Sequence, residues 1–325
     1  MANNISKDIQ KAAALLKEGK LVAIPTETVY GLAANMWNEE AIQNVFSTKK
    51  RPLTNPLIVH IGTLAQLDYL VQDVPKEIYK LIQCFWPGPL TVLLPKKDTI
   101  SDTITAGSQL VAIRMPNHPV ALALLQETTF PLVAPSANPA NKVSPTKAEH
   151  VKKYFDGAID LILDGGPCEK GIESIIVSWN GEKIVIHREG SLSRESIHEV
   201  LGYPCTVSKN TADITSPGQF SVHYAPNKPL YLCHRIENHS EIFDQHNAVG
   251  VITFNRIPKL FKNSIVRVLA PNNSLTVAMK TLYNTLHEMD DLPIDCILCE
   301  WMPNEKEGKG INDRLKRAST KIVSQ

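Results

Sequence analysis

Short apolar runs separated by amphipathic stretches recur through the first half of the chain. LVAI at 21–24, LIVHI at 57–61, LTVLLP at 90–95, LVAIRMP at 110–116, FPLVAP at 130–135 and LILD at 161–164 have the length and composition of strands. The stretches between them carry helical spacing. The first places Ile9, Ala12, Ala13 and Leu16 on one face, with Ser6 as its expected cap and Gly19 as its stop. Such alternation predicts an α/β sheet. Near residue 175 the pattern becomes IIVSW-NG-EKIVIH, where Asn180-Gly181 predicts a two-residue hairpin turn. A hairpin inside an alternating chain makes the expected sheet a mixed one.

Between Gly202 and Pro229 the periodicity fails in a segment rich in Pro, Ser, Thr and Asn, which reads as a linker. Beyond it, YLCH, AVGVITF and DCILCEW look like strands, and 275–289 and 311–318 like helices. The expected division is a domain over 1–203, a linker over 204–228 and a smaller α/β domain over 229–325. A length of 325 residues with 43% hydrophobic and 21% charged positions suits two globular domains.

Charge changes the picture locally. Lys and Arg total 34 against 33 acids, so no global field draws the chain to nucleic acid or to a membrane. Yet 41–67 holds no acid while carrying Lys49, Lys50, Arg51 and His60. In 103–126 the charged residue is Arg114, and in 128–148 only Lys142 and Lys147 appear. Most of these windows contain a strand end, where open α/β sheets collect ligands. One basic concavity assembled from several loops is the inference, although KKR alone also suits a solvated surface.

The first twenty residues lack an apolar core for export, and Asp8 and Glu18 argue against a transit peptide. No apolar run reaches membrane-spanning length. With six scattered cysteines, the expectation is reduced thiols in the cytoplasm. Cys296 and Cys299 form a CxxC inside an apolar run with no second ligand pair nearby, and they read as buried strand residues.

Glycine-rich phosphate loops are missing from the sequence. GPCEKGIE at 166–173 has Ile-Glu where Lys-Ser/Thr is required, and no GxGxxG opens a helix. HExxH and DxDxDG patterns are absent too. A nucleotide would be held by side chains and loop amides of another design. Candidates are the hydroxyl-rich PTETVY at 25–30, SAN at 136–138, Ser174 at a strand start, Arg188 leaving the hairpin, and His223-Tyr224 in the linker. Each alone also fits ordinary turn or surface chemistry.

Taken in order, PTETVYGL, STKKRP with NPLIVHI, VAIRMPNHP, APSAN, GIESIIV and HREG resemble the YrdC-like family of threonylcarbamoyl-AMP synthases. HYAP and EGKGINDRLKRA resemble its long, two-domain form. The resemblance implies a twisted mixed sheet with helices around a basic concave cavity, plus a Rossmann-like C-terminal domain. It implies synthesis of threonylcarbamoyl-AMP and pyrophosphate from L-threonine, bicarbonate and ATP, for the N6-threonylcarbamoyladenosine of tRNA. It further implies that Thr28, His60, Arg114, Ala134 and Ser174 surround threonine. Lys49, Arg51, Asn55, Ser136, Asn138, Ser144, Arg188 and Tyr224 are implied around ATP, with Lys49 and Arg51 neutralising the departing pyrophosphate.

Mg²⁺ is expected on the triphosphate and water, since the sequence offers no acidic cage. A downstream tRNA threonylcarbamoyl transferase complex would take the product. Direct tRNA binding is expected to be weak or absent, because aromatics are 6% and the pI is near 7.7.

Three features depart from the family pattern. Ile175 stands where a Thr is usual, GQFSV precedes HYAP, and the glycine-rich ending is short. Two other readings remain: a non-catalytic RNA- or ribosome-binding module using the same cavity, and a carbamoyl transferase of hydrogenase maturation, whose relatives carry paired CxxC motifs.

Overall fold

The computed structural model describes residues 4–208, 223–259 and 264–323. Among them, eleven strands form one mixed sheet. Its order is Ile5–Ser6, Leu161–Leu163, Val22–Ile24, Gly31–Asn35, Leu132–Val133, Ile58–His60, Leu110–Arg114, Leu90–Pro95, Ile175–Trp179, Ile184–Arg188 and Thr206–Val207. Five further strands make a separate, wholly parallel sheet in the order Ser264–Val268, Val249–Thr253, Cys296–Glu300, Leu230–Cys233 and Lys321–Ile322. The α/β class and the mixed first sheet agree with the sequence pattern.

The elements that carry the site follow from local chemistry. Helix Glu39–Lys49 starts at Asn38, whose side chain accepts from the Ala41 N–H at 3.0 Å, and Glu39 and Glu40 complement its positive end. Ile42, Val45 and Phe46 face the core. The helix ends at Lys50, which adopts a left-handed φ of 51°. That reversal turns Arg51 away from Lys49. Parallel pairing of Ile58–His60 with Leu110–Arg114 sets His60 directly beside Arg114.

Several local expectations differ in detail. Asp8, not Ser6, caps the first helix, accepting from Lys11 N–H at 2.9 Å, while Ser6 pairs with Leu163 in the sheet. The hairpin closes through four residues, with the Asn180 side chain accepting from Glu182 and Lys183. PTETVY forms the loop that leads into an antiparallel strand, Gly31–Asn35. The first sheet also takes Thr206–Val207 from the expected linker. GQFSV at 218–222 lies outside the described residues.

The two sheets share buried surface. Val29, Val143, Ile172 and Tyr224 sit in the same apolar cluster as Met279, Tyr283, Ile311 and Leu315 of the second domain. Gly190 and Gly310 pass so close that a Cβ on Gly310 would lie 2.7 Å from the Gly190 carbonyl oxygen. Domain docking is therefore tight at the hairpin's exit.

Candidate active site

The loop between Val22–Ile24 and Gly31–Asn35 is tied by its own hydroxyls. Thr26 donates to the Val29 carbonyl at 2.6 Å and accepts from the Thr28 and Val29 N–H groups at 3.2 Å each. With its one proton used, Thr26 must accept in its 2.8 Å contact with the Thr28 hydroxyl. Arg114 Nη1 in turn donates to Thr28 Oγ1 at 2.9 Å. One lone pair of Thr28 remains, suited to a ligand ammonium or hydroxyl.

Arg114 is buried at 4% exposure and held on three sides. Its Nη2 lies 2.6 Å from Glu27 Oε1, and its Nε donates to the Gly88 carbonyl at 3.3 Å. Beside it, His60 Nδ1 stands 3.2 Å from the Ile58 carbonyl, so Nδ1 carries the proton in the neutral ring and Nε2 is an acceptor. Burial, and then the Arg114 charge, bring the imidazole down to about 3. His60 is thus uncharged at neutral pH.

Ser174 immediately precedes the strand Ile175–Trp179. Its hydroxyl contacts Thr91 Oγ1 at 2.7 Å and accepts from Arg188 Nη2 at 3.0 Å, while its carbonyl accepts from Arg188 Nε at 3.1 Å. The next residue, Ile175, is fully buried in the main core. The departure from the family's usual Thr therefore falls on a core position.

Arg51 folds over the following turn, donating to the Asn55 side chain at 2.5 Å and the Pro56 carbonyl at 2.7 Å. Burial draws its guanidinium down to about 9. Lys49 points elsewhere: its ammonium donates to the Ser136 and Asn138 carbonyls, locking the SAN turn from beneath. Asn138 completes that turn through bonds to the Pro139 and Lys142 carbonyls at 2.9 and 2.8 Å.

Thr28, Arg51, His60, Arg114, Ala134, Ser136, Ser174, Arg188 and Tyr224 line one cavity. Lys49, Asn55, Asn138 and Ser144, also expected around ATP, do not line it, but each is bonded to a residue that does. His223 and Tyr224 complete the lining, ring edge to ring face at 4.0 Å. The enclosed space is about 50 Å³, whereas pockets for drug-sized ligands run to several hundred.

Two carboxylates escaped the sequence reading. Glu27 seats Arg114. Glu173 accepts from Ser144 Oγ at 2.6 Å, from Tyr283 at 3.0 Å and from Arg314 Nε at 2.7 Å. Burial alone would raise its carboxyl, but Arg314 and Arg188 bring it down to about 2. The signal for both was an acid embedded in a candidate motif, PTET and GIES.

A family described as "Telomere recombination" matches residues 14–190, and "Threonylcarbamoyl-AMP synthase, C-terminal domain" matches 192–320. Threonylcarbamoyl-AMP synthase of Bacillus subtilis (strain 168) is 41% identical over 96% of this chain and 92% of its own. The Pyrococcus abyssi synthase is 37% identical over 96% and 94%. In structure, P. abyssi Sua5 complexed with L-threonine superposes with a TM-score of 0.88 at 35% identity, covering 97% of this chain and 96% of that one. Relatives named threonylcarbamoyl-AMP synthase, 33–41% identical over most of the chain, define an enzyme of the nucleotidyltransferase class. Within that class, the chain belongs to the two-domain threonylcarbamoyl-AMP synthase family.

Proposed function

We propose that this chain is an L-threonylcarbamoyladenylate synthase that condenses L-threonine, bicarbonate and ATP and releases pyrophosphate. The observation that carries this reading is the convergence of Thr28, His60, Arg114 and Ser174 with Arg51, Arg188 and Tyr224 on one recessed cavity. In this reading Arg114, already oriented by Glu27, presents its guanidinium to the threonine carboxylate. Thr28 and neutral His60 accept hydrogen bonds from the amino acid's donors. A site that pairs the threonine hydroxyl rejects an analogue lacking it by roughly 10⁴ to 10⁵, so valine is excluded far better than serine.

Bicarbonate gives up its hydroxyl oxygen to form CO₂; the neutral threonine amine forms the N–C bond, its released proton leaves with that oxygen as water, and an oxygen of the resulting carbamate attacks the α-phosphorus of ATP. A new P–O bond forms as the bond to the β-phosphate breaks, and the electron pair leaves with pyrophosphate. Arg51 neutralises that developing charge directly. Lys49 acts from behind, by holding the carbonyls of the Ser136–Asn138 turn. Mg²⁺ travels with ATP as part of the substrate, since Glu27 and Glu173, the carboxylates nearest the cavity, are each paired with an arginine.

The product passes to a tRNA-modifying transferase complex in the cytoplasm. Among the described residues no helix is long and apolar enough to cross a membrane. The RNA-module reading is disfavoured by position, because Arg114 and Arg188 are buried at 4% and 6% exposure, out of reach of a nucleic-acid backbone. Mass-spectrometric detection of threonylcarbamoyl-AMP after incubation with the three substrates tests the assignment. AMP or ADP formed without the carbamoylated amino acid would refute it.

A further inference from the structure

Carbamate formation consumes a neutral amine, whereas L-threonine in neutral water carries an ammonium. One proton must therefore leave before the N–C bond forms. Among the described residues, the side chains lining the cavity are poorly suited to keep it. His60 and His223 are each brought down to about 3, by burial before anything else, which makes them too weak as bases to hold an ammonium's proton. Glu173 accepts from Ser144, Tyr283 and Arg314 already. Glu27 stands against Arg114 and does not line the cavity.

Cations, by contrast, converge there. Arg51 lines the cavity, and its bonds run to the Asn55 side chain and to the Asn55 and Pro56 carbonyls, all uncharged oxygens. Lys49, just behind, donates to two carbonyls. Arg114 and Arg188 face the same space. The mutual repulsion acts on the cations themselves: after burial, Arg51 draws the Lys49 ammonium toward its neutral form, and Arg188 acts likewise on Arg51. A ligand ammonium placed among these groups meets the same repulsion and the same loss of water, and both favour the neutral amine. Arg114 adds a third effect. In free threonine the carboxylate stabilises the adjacent ammonium, and a guanidinium paired with that carboxylate cancels the stabilisation.

We propose that the cavity activates threonine by its charge: the amino acid binds with its ammonium proton lost to solvent, driven off by Arg51 together with Arg114, and no side chain serves as the base. This deepens the reading of the cavity as the threonine site of the synthase and rests on it. In the step one N–H bond breaks, its electron pair stays on nitrogen as the lone pair that attacks CO₂, and the proton passes to bulk buffer. The remaining lone pair of Thr28 and Nε2 of His60 accept from the N–H bonds of the neutral amine and so orient it. Arg51 thereby acts on threonine as well as on the departing pyrophosphate.

The test is isothermal titration of L-threonine into the full chain, without bicarbonate and without ATP, whose triphosphate offsets the arginines. Buffers of different ionisation enthalpy count the protons released. At pH 8 the expected release is about half a proton or more per threonine bound. Affinity should rise by up to about tenfold from pH 7 to pH 8, because the bound amine holds its proton less tightly than the free one. The analogue 2,3-dihydroxybutyrate, with a hydroxyl in place of the amine, should release none. Arg51→Ala should cut the release to about half or less and flatten the affinity profile, and Arg51→Lys, which keeps the charge, should restore most of it. No net release by the parent, equal release with the amine-free analogue, or a proton count unchanged in Arg51→Ala while affinity falls at every pH would overturn the assignment. The first two arms use the parent chain, so they decide the matter even where Arg51→Ala fails to fold. A parent that binds no threonine at any pH would overturn the functional reading, and this inference with it.

Discussion

Thr28 shows how one hydroxyl can serve both frame and ligand. It donates to Thr26, accepts from Arg114 and keeps one lone pair for the bound amino acid. Thr28→Val keeps the shape, removes that lone pair and strips Arg114 of a bond, so threonine affinity should fall by about 10- to 100-fold with little change in the unfolding midpoint. Calorimetric titration checks this, and near-normal affinity would show that Thr28 only shapes the turn. His60 and Arg114 stood out in acid-free windows and Thr28 in a hydroxyl-rich turn, whereas Ser174 came forward only through the family resemblance; the fold brings all four to one cavity. Glu27 and Glu173 were not legible, since an acid inside a motif reads equally as a solvated one. Their arginine partners lie far along the chain, Arg314 in another domain.

Helix Glu39–Lys49 and the turn after it set two basic side chains to different tasks. The left-handed Lys50 separates them, sending Arg51 to the cavity lining and Lys49 beneath the SAN turn. Charge patterning alone could place both near a phosphate, but only the backbone reversal distinguishes them. Lys49→Ala leaves the buried Asn138 carbonyl without its donor, at about 1–3 kcal/mol, and the half-buried Ser136 carbonyl with the Asn138 N–H alone. Turnover should drop by at least about tenfold together with a lower thermal midpoint, whereas Arg51→Ala should lose turnover with the midpoint nearly kept. Equal midpoints in the two variants would contradict this division. At this scale the strands were read well where apolar residues run together, as in LTVLLP. Ser264–Val268 was missed because Ser264 and Arg267 interrupt the apolar residues of SIVRV, leaving neither a continuous apolar run nor a clean alternation, and the strand is only half buried.

The docking of the two domains was the least legible feature, as it depends on contacts between residues more than a hundred positions apart. Part of it should respond to pH. The rings of His150 and His287 stack across the domain boundary with centres 3.8 Å apart, and His287 Nε2 faces the Ser144 carbonyl at 3.2 Å. Thr146 N–H donates to His150 Nδ1 at 3.3 Å, and Lys147, Lys153, Tyr154, Asp290 and Asp291 surround the pair. Burial, then the neighbouring His287 and lysines, bring His150 down to about 3; burial brings His287 down to about 4.

Both histidines are neutral when docked and near 6.5 when released, so the separated or unfolded state binds more protons below that pH. Stability is therefore full above about pH 6.5 and declines as pH falls toward 4. His60 and His223 follow the same sign, so the comparison must be differential. A His150→Asn/His287→Asn variant should show a shallower fall in melting temperature between pH 7 and pH 5 than the parent. Parallel curves would remove the pair from the pH response.

All of these predictions assume that the cavity joins threonine, CO₂ and ATP. The most direct measurement is pyrophosphate release from ATP by the purified full chain, with L-threonine and bicarbonate each left out in turn. The account predicts release only when both are present, with valine a poor substitute for threonine. Release indifferent to either omission would contradict it.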